Sequence, residues 1–244
     1  QAGMWVGTFG NDGMEPFPRL LHIDAHGRVS DRSPPYLGDR TPSPGARGLD
    51  GSIWHHIRGA GLRVQRPDGS VQRVPLPAWP SAHGLDRVAA DRLGRLWWAG
   101  GSALTGAWLG GLDQSGAWAE YDSSDLVLRR IEDLDLHPSG ELWITGEEAL
   151  ARLRADGSIQ LQNYRALGFP RGTLYAPVLG IAQDGSISLA HRAGLSQLQA
   201  DGTWAHRTQE DLPLTFPLNV NGLAYDDAGS LWLAGLHGLS TRAP

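Results

Sequence analysis

Two reactive side chains are missing from the sequence altogether. Its 244 residues include no cysteine, and its 21 basic residues are all arginine. Without thiols the chain cannot form disulfides, thiolate nucleophiles or cysteine-ligated metal sites. Without lysine it cannot form a Schiff base or supply the amine of a phosphate-binding P-loop. Several enzyme classes are therefore excluded before any motif is considered.

Long apolar runs and a dominant charge are also missing. The sequence has no apolar stretch of about 18 residues, the length that a membrane-spanning helix needs. The formal net charge is −5, and acidic and basic residues are interspersed without a basic stripe. We therefore expect no membrane span in this chain and no nucleic-acid partner.

What the sequence has in excess is glycine, proline and tryptophan, with 33, 16 and 10 residues. Frequent glycine and proline favour many short elements joined by tight turns. The tryptophans belong to a recurring phrase: a polar turn, Gly, any residue, Leu-Trp, two residues and Gly. "DRLGRLWWAGG", "HPSGELWITG" and "DDAGSLWLAG" are three copies of it.

Aligned on the tryptophan, the phrase recurs about every 45 residues. The aligned positions are Trp5, Trp54, Trp97, Trp143, Ser188 in a degenerate copy, and Trp232. A second marker, a hairpin-turn signal such as Asp-Gly, has the same period, with glycines at positions 27, 69, 116, 157 and 202. Such pairs supply the positive φ that tight hairpin turns need. Two markers with one period indicate a repeat protein.

Each repeat reads as four short strands. The second strands are continuously apolar, as in "LWITG", whereas the fourth strands alternate, as in "SIQLQNY". Inner strands covered on both faces and outer strands with one wet face are typical of sheets stacked around an axis. The sequence predicts an all-β β-propeller of six repeats with four-stranded blades, forming one domain over residues 1–244.

The phrase also resembles a known family. D-x-x-G-x-L-W-x-x-[GT], and "MWVGTFG" at residues 4–10, are similar to the two-component regulator propeller repeat of bacterial periplasmic sensor proteins. The resemblance covers nearly the whole chain and implies a propeller fold with a role in sensing or binding. It implies no catalytic residue, because the motif positions are structural.

The repeats do not complete their ring within the sequence. The chain begins inside a second strand and ends after a third, which gives 22 candidate strands where six full blades need 24. We expect the end blade to be incomplete in this chain. Three explanations remain open: a longer native protein, strands donated by a partner chain, or open sheet edges, which proteins usually avoid.

The longer loops, which join strands two and three and successive blades, are predicted to share one face of the propeller. Aromatic residues on such loops suit flat sugar faces or partner side chains, although they also fill gaps between blades. The candidate ligand-binding residues are Phe9, Phe17, Tyr36, Trp79, Trp108, Phe169, Tyr175 and Phe216.

A second candidate site is a cluster near the axis. Histidines at related positions of three repeats, with one glutamate, could bind a metal or act as acid–base groups, although scattered polar residues at strand ends are the plainer interpretation. These residues are His55, His56, Glu147, His191 and His237. Neither the identity of a metal nor a cofactor is indicated.

These features favour a non-enzymatic propeller that binds a small molecule, glycan or protein on its loop-rich face. By resemblance it would be a periplasmic or extracellular sensor or interaction domain, tethered to a membrane only through segments outside this chain. One alternative is an enzyme resembling streptogramin lyase, with a metal and a His/Glu site near the axis, although the Phe-Thr-Glu phrase of that family is lacking. Another is a scaffold subunit that shares strands with other chains.

Overall fold

Strands make up nearly all of the regular structure in a computed structural model of the chain. The structure describes residues 3–8, 19–24, 28–31, 46–47, 51–57, 61–74, 87–90, 95–102, 106–112, 117–170, 177–212, 220–226, 228–235 and 238–242. Besides the strands, this part of the chain contains one short helix, α1 (Ser123–Leu126), and a 3-10 turn at Gln209–Asp211.

The described strands number 22, which matches the count predicted from the repeats. They are β1 Gly3–Thr8, β2 Arg19–Asp24, β3 Val29–Asp31, β4 Ala46–Arg47, β5 Ile53–Ile57, β6 Gly61–Gln65, β7 Val71–Arg73, β8 Arg87–Ala90, β9 Leu96–Ser102, β10 Gly106–Leu112, β11 Trp118–Tyr121, β12 Ile131–Leu136, β13 Leu142–Gly146, β14 Ala149–Leu153, β15 Ile159–Asn163, β16 Val178–Ile181, β17 Ile187–His191, β18 Gly194–Leu198, β19 Trp204–Thr208, β20 Val220–Tyr225, β21 Leu231–Gly235 and β22 Gly238–Arg242.

These strands form sheets in which each strand pairs with the next one along the chain. Sheets 2, 3, 4 and 5 have the four strands predicted for a blade: β4–β7, β8–β11, β12–β15 and β16–β19. Sheet 1 (β1–β3) and sheet 6 (β20–β22) have three described strands each. The sequence therefore predicted the all-β architecture and the four-stranded sheets, whereas the number of blades in a complete ring stays a prediction.

The chain divides into two compact units. Residues 1–101 and 109–120 form the first, and residues 102–108 and 121–244 form the second. The single domain inferred from the sequence stays a prediction. Sheets 4, 5 and 6 lie wholly in the second unit, which is the better described part of the chain.

Sheet 4 shows how the repeat generates a blade. All five residues of β13 are buried, as expected for the Leu-Trp strand. The outer strand β15 is more exposed, but not in the expected alternation, because Leu161 is 40% exposed whereas Gln160 and Gln162 are half-buried. The turn between β14 and β15 is the predicted Asp-Gly hairpin: Gly157 has φ of +81°, and the Asp156 carboxylate accepts a hydrogen bond from the Ser158 amide. Positive φ is what glycine supplies at low cost.

The polar turn before the Leu-Trp strand is held by its first residue. In sheet 6 the Asp226 carboxylate accepts hydrogen bonds from the amides of Ala228 and Ser230, and from the indole nitrogen of Trp232 at 2.9 Å. Partial burial opposes its ionisation, but these hydrogen bonds prevail and hold the pKa of Asp226 below its usual value. The aspartate of the phrase thus fixes both the turn and the tryptophan.

Two apolar cores join the three sheets of the second unit. Between sheets 4 and 5, the core includes Trp143, Leu179 and Leu189. Between sheets 5 and 6, it includes Leu195 and Leu223. The repeat tryptophan Trp143 is therefore a packing residue.

The degenerate fifth repeat has a polar replacement for this tryptophan. Ser188 lies fully buried on β17, and its hydroxyl makes a 2.6 Å hydrogen bond with the Tyr225 hydroxyl of sheet 6. The amide of Gln197 donates to the same serine. A hydroxyl network between sheets 5 and 6 thus occupies the place of the missing indole.

Candidate functional site

Most of the predicted ligand-binding aromatics lie outside the described residues: Phe9, Phe17, Tyr36, Trp79, Tyr175 and Phe216. The other two differ from the exposed position expected of them. Trp108 lies within β10 with 4% exposure, and Phe169 is 7% exposed. Both pack inside the protein, so neither is available to stack on a ligand in this conformation.

The proposed axial cluster is not brought together by the described residues. His237 lies outside them, and His55 and His56 belong to β5 without described side chains. Glu147 is half-buried at the turn after β13, and His191 ends β17 with 4% exposure. Within the described residues no three His, Asp or Glu side chains converge as metal ligands would. The cluster stays a prediction.

His191 instead belongs to a buried hydrogen-bond chain across sheet 5. Its Nε2 lies 2.7 Å from the Ser196 hydroxyl, and that hydroxyl lies 2.8 Å from Nδ1 of His206. Ser196 is opposite His206 in the β18–β19 ladder, so the two side chains share a face. We name His191, Ser196 and His206 the histidine chain.

The backbone indicates the direction of the protons in the histidine chain. A backbone hydrogen bond at Leu167 raises the pKa of His206, as expected when a ring N–H donates to that carbonyl, so we assign the His206 proton to Nε2. Its Nδ1 then accepts from the Ser196 hydroxyl, and Ser196 accepts from Nε2 of His191. The remaining nitrogen, His191 Nδ1, is buried and has no hydrogen-bond partner among the described residues.

Burial favours the neutral form of both imidazoles. It lowers the pKa of His191 to about 4, with a smaller contribution from the nearby His206. It also lowers the pKa of His206, against the opposing hydrogen bond to Leu167. A neutral chain satisfies the serine and both facing nitrogens, which a charged chain would not.

Phe169 joins the histidine chain to a loop. Its ring centroid lies 4.8 Å from that of His206, 5.9 Å from that of His191 and 5.0 Å from that of Trp204. The loop closes on itself, since the amide of Phe169 donates to the Tyr164 carbonyl and the two rings are 5.2 Å apart. We name residues 164–170 the Phe169 loop; it follows β15 of sheet 4 and is the first part of the connection to sheet 5.

Two carboxylates tie the inner strands of sheets 4 and 5. Asp133 and Asp135 on β12 accept hydrogen bonds from the backbone amides of Leu179 (2.9 Å) and Ile181 (3.0 Å) on β16. Burial raises the pKa of Asp135 to about 7, and the charge of Asp133 adds to the effect. These side-chain hydrogen bonds hold two inner strands of different sheets together, as backbone hydrogen bonds hold neighbouring strands within one sheet.

A third polar group lies at the turn before β13. His137 Nδ1 is 2.7 Å from the Ser139 hydroxyl, which also donates to the Glu141 carboxylate at 3.1 Å. Arg152 binds the same carboxylate and lies over the Trp143 ring at 5.1 Å. Because the serine stands between the histidine and the acid, the acid does not bind and orient the imidazole, as the acid of a nucleophilic triad does.

Sequence reasoning missed the histidine chain and the carboxylate ties. The acids had a visible signal, since "EDLDL" places three acids on an inner strand, whereas the inner strands β16 and β20 carry no charged residue. His206 and Ser196 had none, because their meeting depends on the register of two strands.

Comparison with known proteins shows the fold. No family model matches the chain, and no curated protein matches it. Among solved structures, a streptogramin B lyase is 16% identical with a TM-score of 0.64, covering 91% of this chain and 85% of the lyase. A gluconolactonase from Xanthomonas campestris is 14% identical with a TM-score of 0.66, covering 91% of this chain and 77% of that protein.

Extracellular sensor domains are also among the similar structures. That of BT3049 from B. thetaiotaomicron, described as a hybrid two component system, is 15% identical with a TM-score of 0.67. The similarity covers 98% of this chain but only 33% of that one. Together these structures assign this chain the all-β β-propeller fold. No helix among the described residues is long and apolar enough to cross a membrane.

Proposed function

We propose that this chain is a non-enzymatic binding domain of an exported bacterial sensor or interaction protein, related to the two-component regulator propellers. Its ligand is a small molecule, glycan or protein, held by the loops that join strands two and three and the loops that join successive sheets. The proposal combines the repeat phrase with a property of the second unit. Its described acidic and histidine side chains that could act in catalysis instead form hydrogen bonds within and between sheets.

That engagement is the observation on which the proposal depends. Asp133 and Asp135 bind backbone amides of the neighbouring sheet, and His191 is hydrogen-bonded to a fully buried serine. Thr145 donates to the Pro177 carbonyl at 3.0 Å. Such contacts stabilise the packing of the sheets. On a rigid scaffold of this kind, ligand binding is usually carried out by residues of the loops.

The structural similarities are compatible with a binding role and equally with an enzymatic one. They include extracellular domains of sensor systems but also a lyase and gluconolactonases. A lyase-like activity would need His and Glu side chains free to reach a substrate. His191 fits that role poorly because its side chain is buried and its ring is held by Ser196.

Titration calorimetry with defined oligosaccharides tests the proposal. Cellohexaose, xylohexaose and hexagalacturonate are suitable probes, and Trp79→Ala removes a predicted loop contact. Trp118→Ala is the matched control, because Trp118 is a 42% exposed tryptophan on the outer strand β11. We expect Trp79→Ala to weaken the binding of a bound probe about tenfold or more, and Trp118→Ala to leave it unchanged.

The same samples test the enzymatic alternative. Streptogramin B and glucono-1,5-lactone, with and without added Mg²⁺, are probes for turnover. Metal-dependent turnover of either one that is lost in His237→Ala would overturn the non-enzymatic proposal. Oligosaccharide binding that is weakened by Trp118→Ala but not by Trp79→Ala would contradict the assignment to the loops.

A further inference from the structure

The histidine chain lies where a buried network meets a surface loop. Its inner end, His191, is 4% exposed and Ser196 is fully buried, whereas His206 is half-buried. Solvent protons can therefore reach the chain through His206. The Phe169 loop covers this end, since the Phe169 ring contacts both imidazoles and the Leu167 backbone hydrogen-bonds one of them.

The histidine chain allows only one arrangement of hydrogen atoms in which each facing group is hydrogen-bonded. Ser196 has a single hydroxyl hydrogen, which the neutral His206 accepts, and it accepts in turn from His191. A proton added to Nδ1 of His206 would put two N–H donors on the serine oxygen. The serine hydrogen would then lose its acceptor, because the other facing nitrogen, His191 Nε2, already carries a hydrogen.

A tautomer change does not resolve this conflict. If His191 accepted from Ser196, its proton would move to Nδ1, which is buried and without a partner among the described residues. A buried N–H or O–H group without a hydrogen bond costs free energy comparable to a lost hydrogen bond or more. The alternative is for the charged His206 ring to leave the chain and reach water, which displaces Phe169 from its contact.

Within the part of the chain that the structure describes, no carboxylate raises the pKa of His191 or His206. The acids of β12 in sheet 4 have other partners: Asp133 and Asp135 bind amides of β16, and Glu132 lies 3.4 Å from Arg130. Thr145 on β13 is uncharged and binds the Pro177 carbonyl. The residue after His191 is Arg192, and the residue after His206 is Arg207, so the charged side chains next to the histidines along the chain are basic. On β18 the neighbours of Ser196, Leu195 and Gln197, are uncharged.

We propose that His191, Ser196 and His206 form an acid-released latch that holds the Phe169 loop against sheet 5. With both imidazoles neutral the loop is fixed; with His206 protonated the latch opens and the loop separates from the sheet. The Phe169 loop belongs to the connection between sheets 4 and 5, and such connections are predicted to lie on the loop-rich face. The latch therefore makes the geometry of that face depend on acidity, whatever ligand it binds.

Hydrogen exchange of the Phe169 loop tests the latch. The amides of Leu167, Gly168 and Phe169 are hydrogen-bonded within the loop, so their exchange reports its opening. After correction for intrinsic rates, we expect their protection to fall about tenfold or more between pH 6 and pH 4, while amides of β17 keep theirs. Burial raises the pKa of Asp135 to about 7, which places the middle of its titration above this range.

Two variants separate the latch from general acid destabilisation. His206→Gln keeps an acceptor and a donor but cannot be protonated, so its loop should show no step. His137→Gln is the matched control, because His137 is hydrogen-bonded to an exposed serine at the turn before β13, and it should retain the step.

A third measurement does not depend on stability. Side-chain ¹⁵N spectra of the wild-type protein at pH 7.5 should show both histidines neutral, each protonated at Nε2. Loop protection that is constant from pH 6 to pH 4, a step that survives in His206→Gln, or an Nδ1-protonated His206 would each overturn the proposal.

Discussion

The carboxylate of Asp226 accepts a hydrogen bond at 2.9 Å from the indole nitrogen of Trp232, six positions further along the chain. The two residues are the first position and the tryptophan of the repeated phrase. Their contact explains the spacing physically, because the same carboxylate also holds the intervening turn through two backbone amides. A turn and a core tryptophan are thereby positioned by one side chain.

Removing the Asp226 carboxylate should lower the free energy of unfolding more than removing a turn aspartate that binds only backbone amides and a serine. Asp226→Ala leaves a half-buried indole N–H and two amides without their acceptor, and we expect a loss of about 1–3 kcal/mol in the free energy of unfolding. Asp156→Ala is the matched control, since Asp156 holds its turn through Ser158 without binding a tryptophan. Urea denaturation of both variants measures the difference, and equal losses would show that the indole contact contributes nothing.

The fourth repeat lacks this acceptor. His137 occupies the position equivalent to Asp226, and the buried indole nitrogen of Trp143 has no hydrogen-bond partner among the described residues. His137→Asp should supply one and raise the free energy of unfolding by about 1 kcal/mol, or the Tm by roughly 2–4 °C. Thermal denaturation measures it, with His137→Ala as the control that should not stabilise. A Tm for His137→Asp at or below that of His137→Ala would contradict the explanation.

The close contact of sheets 5 and 6 requires glycine at one position of the inner strand. A Cβ added at Gly180 would overlap Cδ2 of Leu223, whereas a Cβ at Gly222 would meet Ala234 at an ordinary 3.5 Å. Gly180→Ala should destabilise the protein by about 1–3 kcal/mol through overpacking, and Gly222→Ala by clearly less. Adding Leu223→Ala should recover part of the Gly180→Ala loss. Additive effects of the two substitutions would show that the sheets do not meet there.

The inner-strand acid Asp135 should make stability depend on pH near neutrality. Because its folded pKa of about 7 is raised above the unfolded value of about 3.9, the folded state binds more protons over that interval. Its contribution is fully present below the unfolded pKa and is lost as pH rises through about 7. His191 acts in the opposite direction, since its lowered pKa makes the folded state lose stability as pH falls from about 6.5 towards 4.

The range above pH 6.5 therefore isolates the aspartate. Between pH 6.5 and 8 we expect the free energy of unfolding to fall by up to about 1 kcal/mol. Asp135→Asn should abolish that fall, whereas Asp156→Asn, at an exposed turn whose hydrogen bonds to Ser158 lower the pKa, should not change it. Denaturant titrations across the range are the measurement. A wild-type slope that persists in Asp135→Asn would assign the titration to another group.

The strand pattern could be predicted because each element depends on local sequence. Gly157 and the continuously apolar β13 carry their structure in a few adjacent residues, and even the degenerate copy at Ser188 falls on a second strand as aligned. The buried position of Phe169 could not be predicted, because its neighbours His191, His206 and Trp204 come from two strands that follow it. An aromatic beside a proline on a loop has the same local signature whether it faces water or a neighbouring sheet.

The candidate site was harder to predict than the fold for the same reason. His191 was named from the sequence as part of an axial cluster, whereas its partner Ser196 had no local signal, because only the strand register brings the two together. The predicted loop contacts Trp79 and Tyr175 lie outside the described residues, so their role stays a prediction.

The most direct test of the architecture is a crystal structure of this chain that places side chains. It should show Trp143 and Trp232 on the second strands of separate antiparallel sheets, with the carboxylates of Asp133 and Asp135 on the amides of Leu179 and Ile181 at about 3 Å. Tryptophans on helices, or inner strands that pair with each other through their backbones while the two carboxylates face solvent, would contradict it.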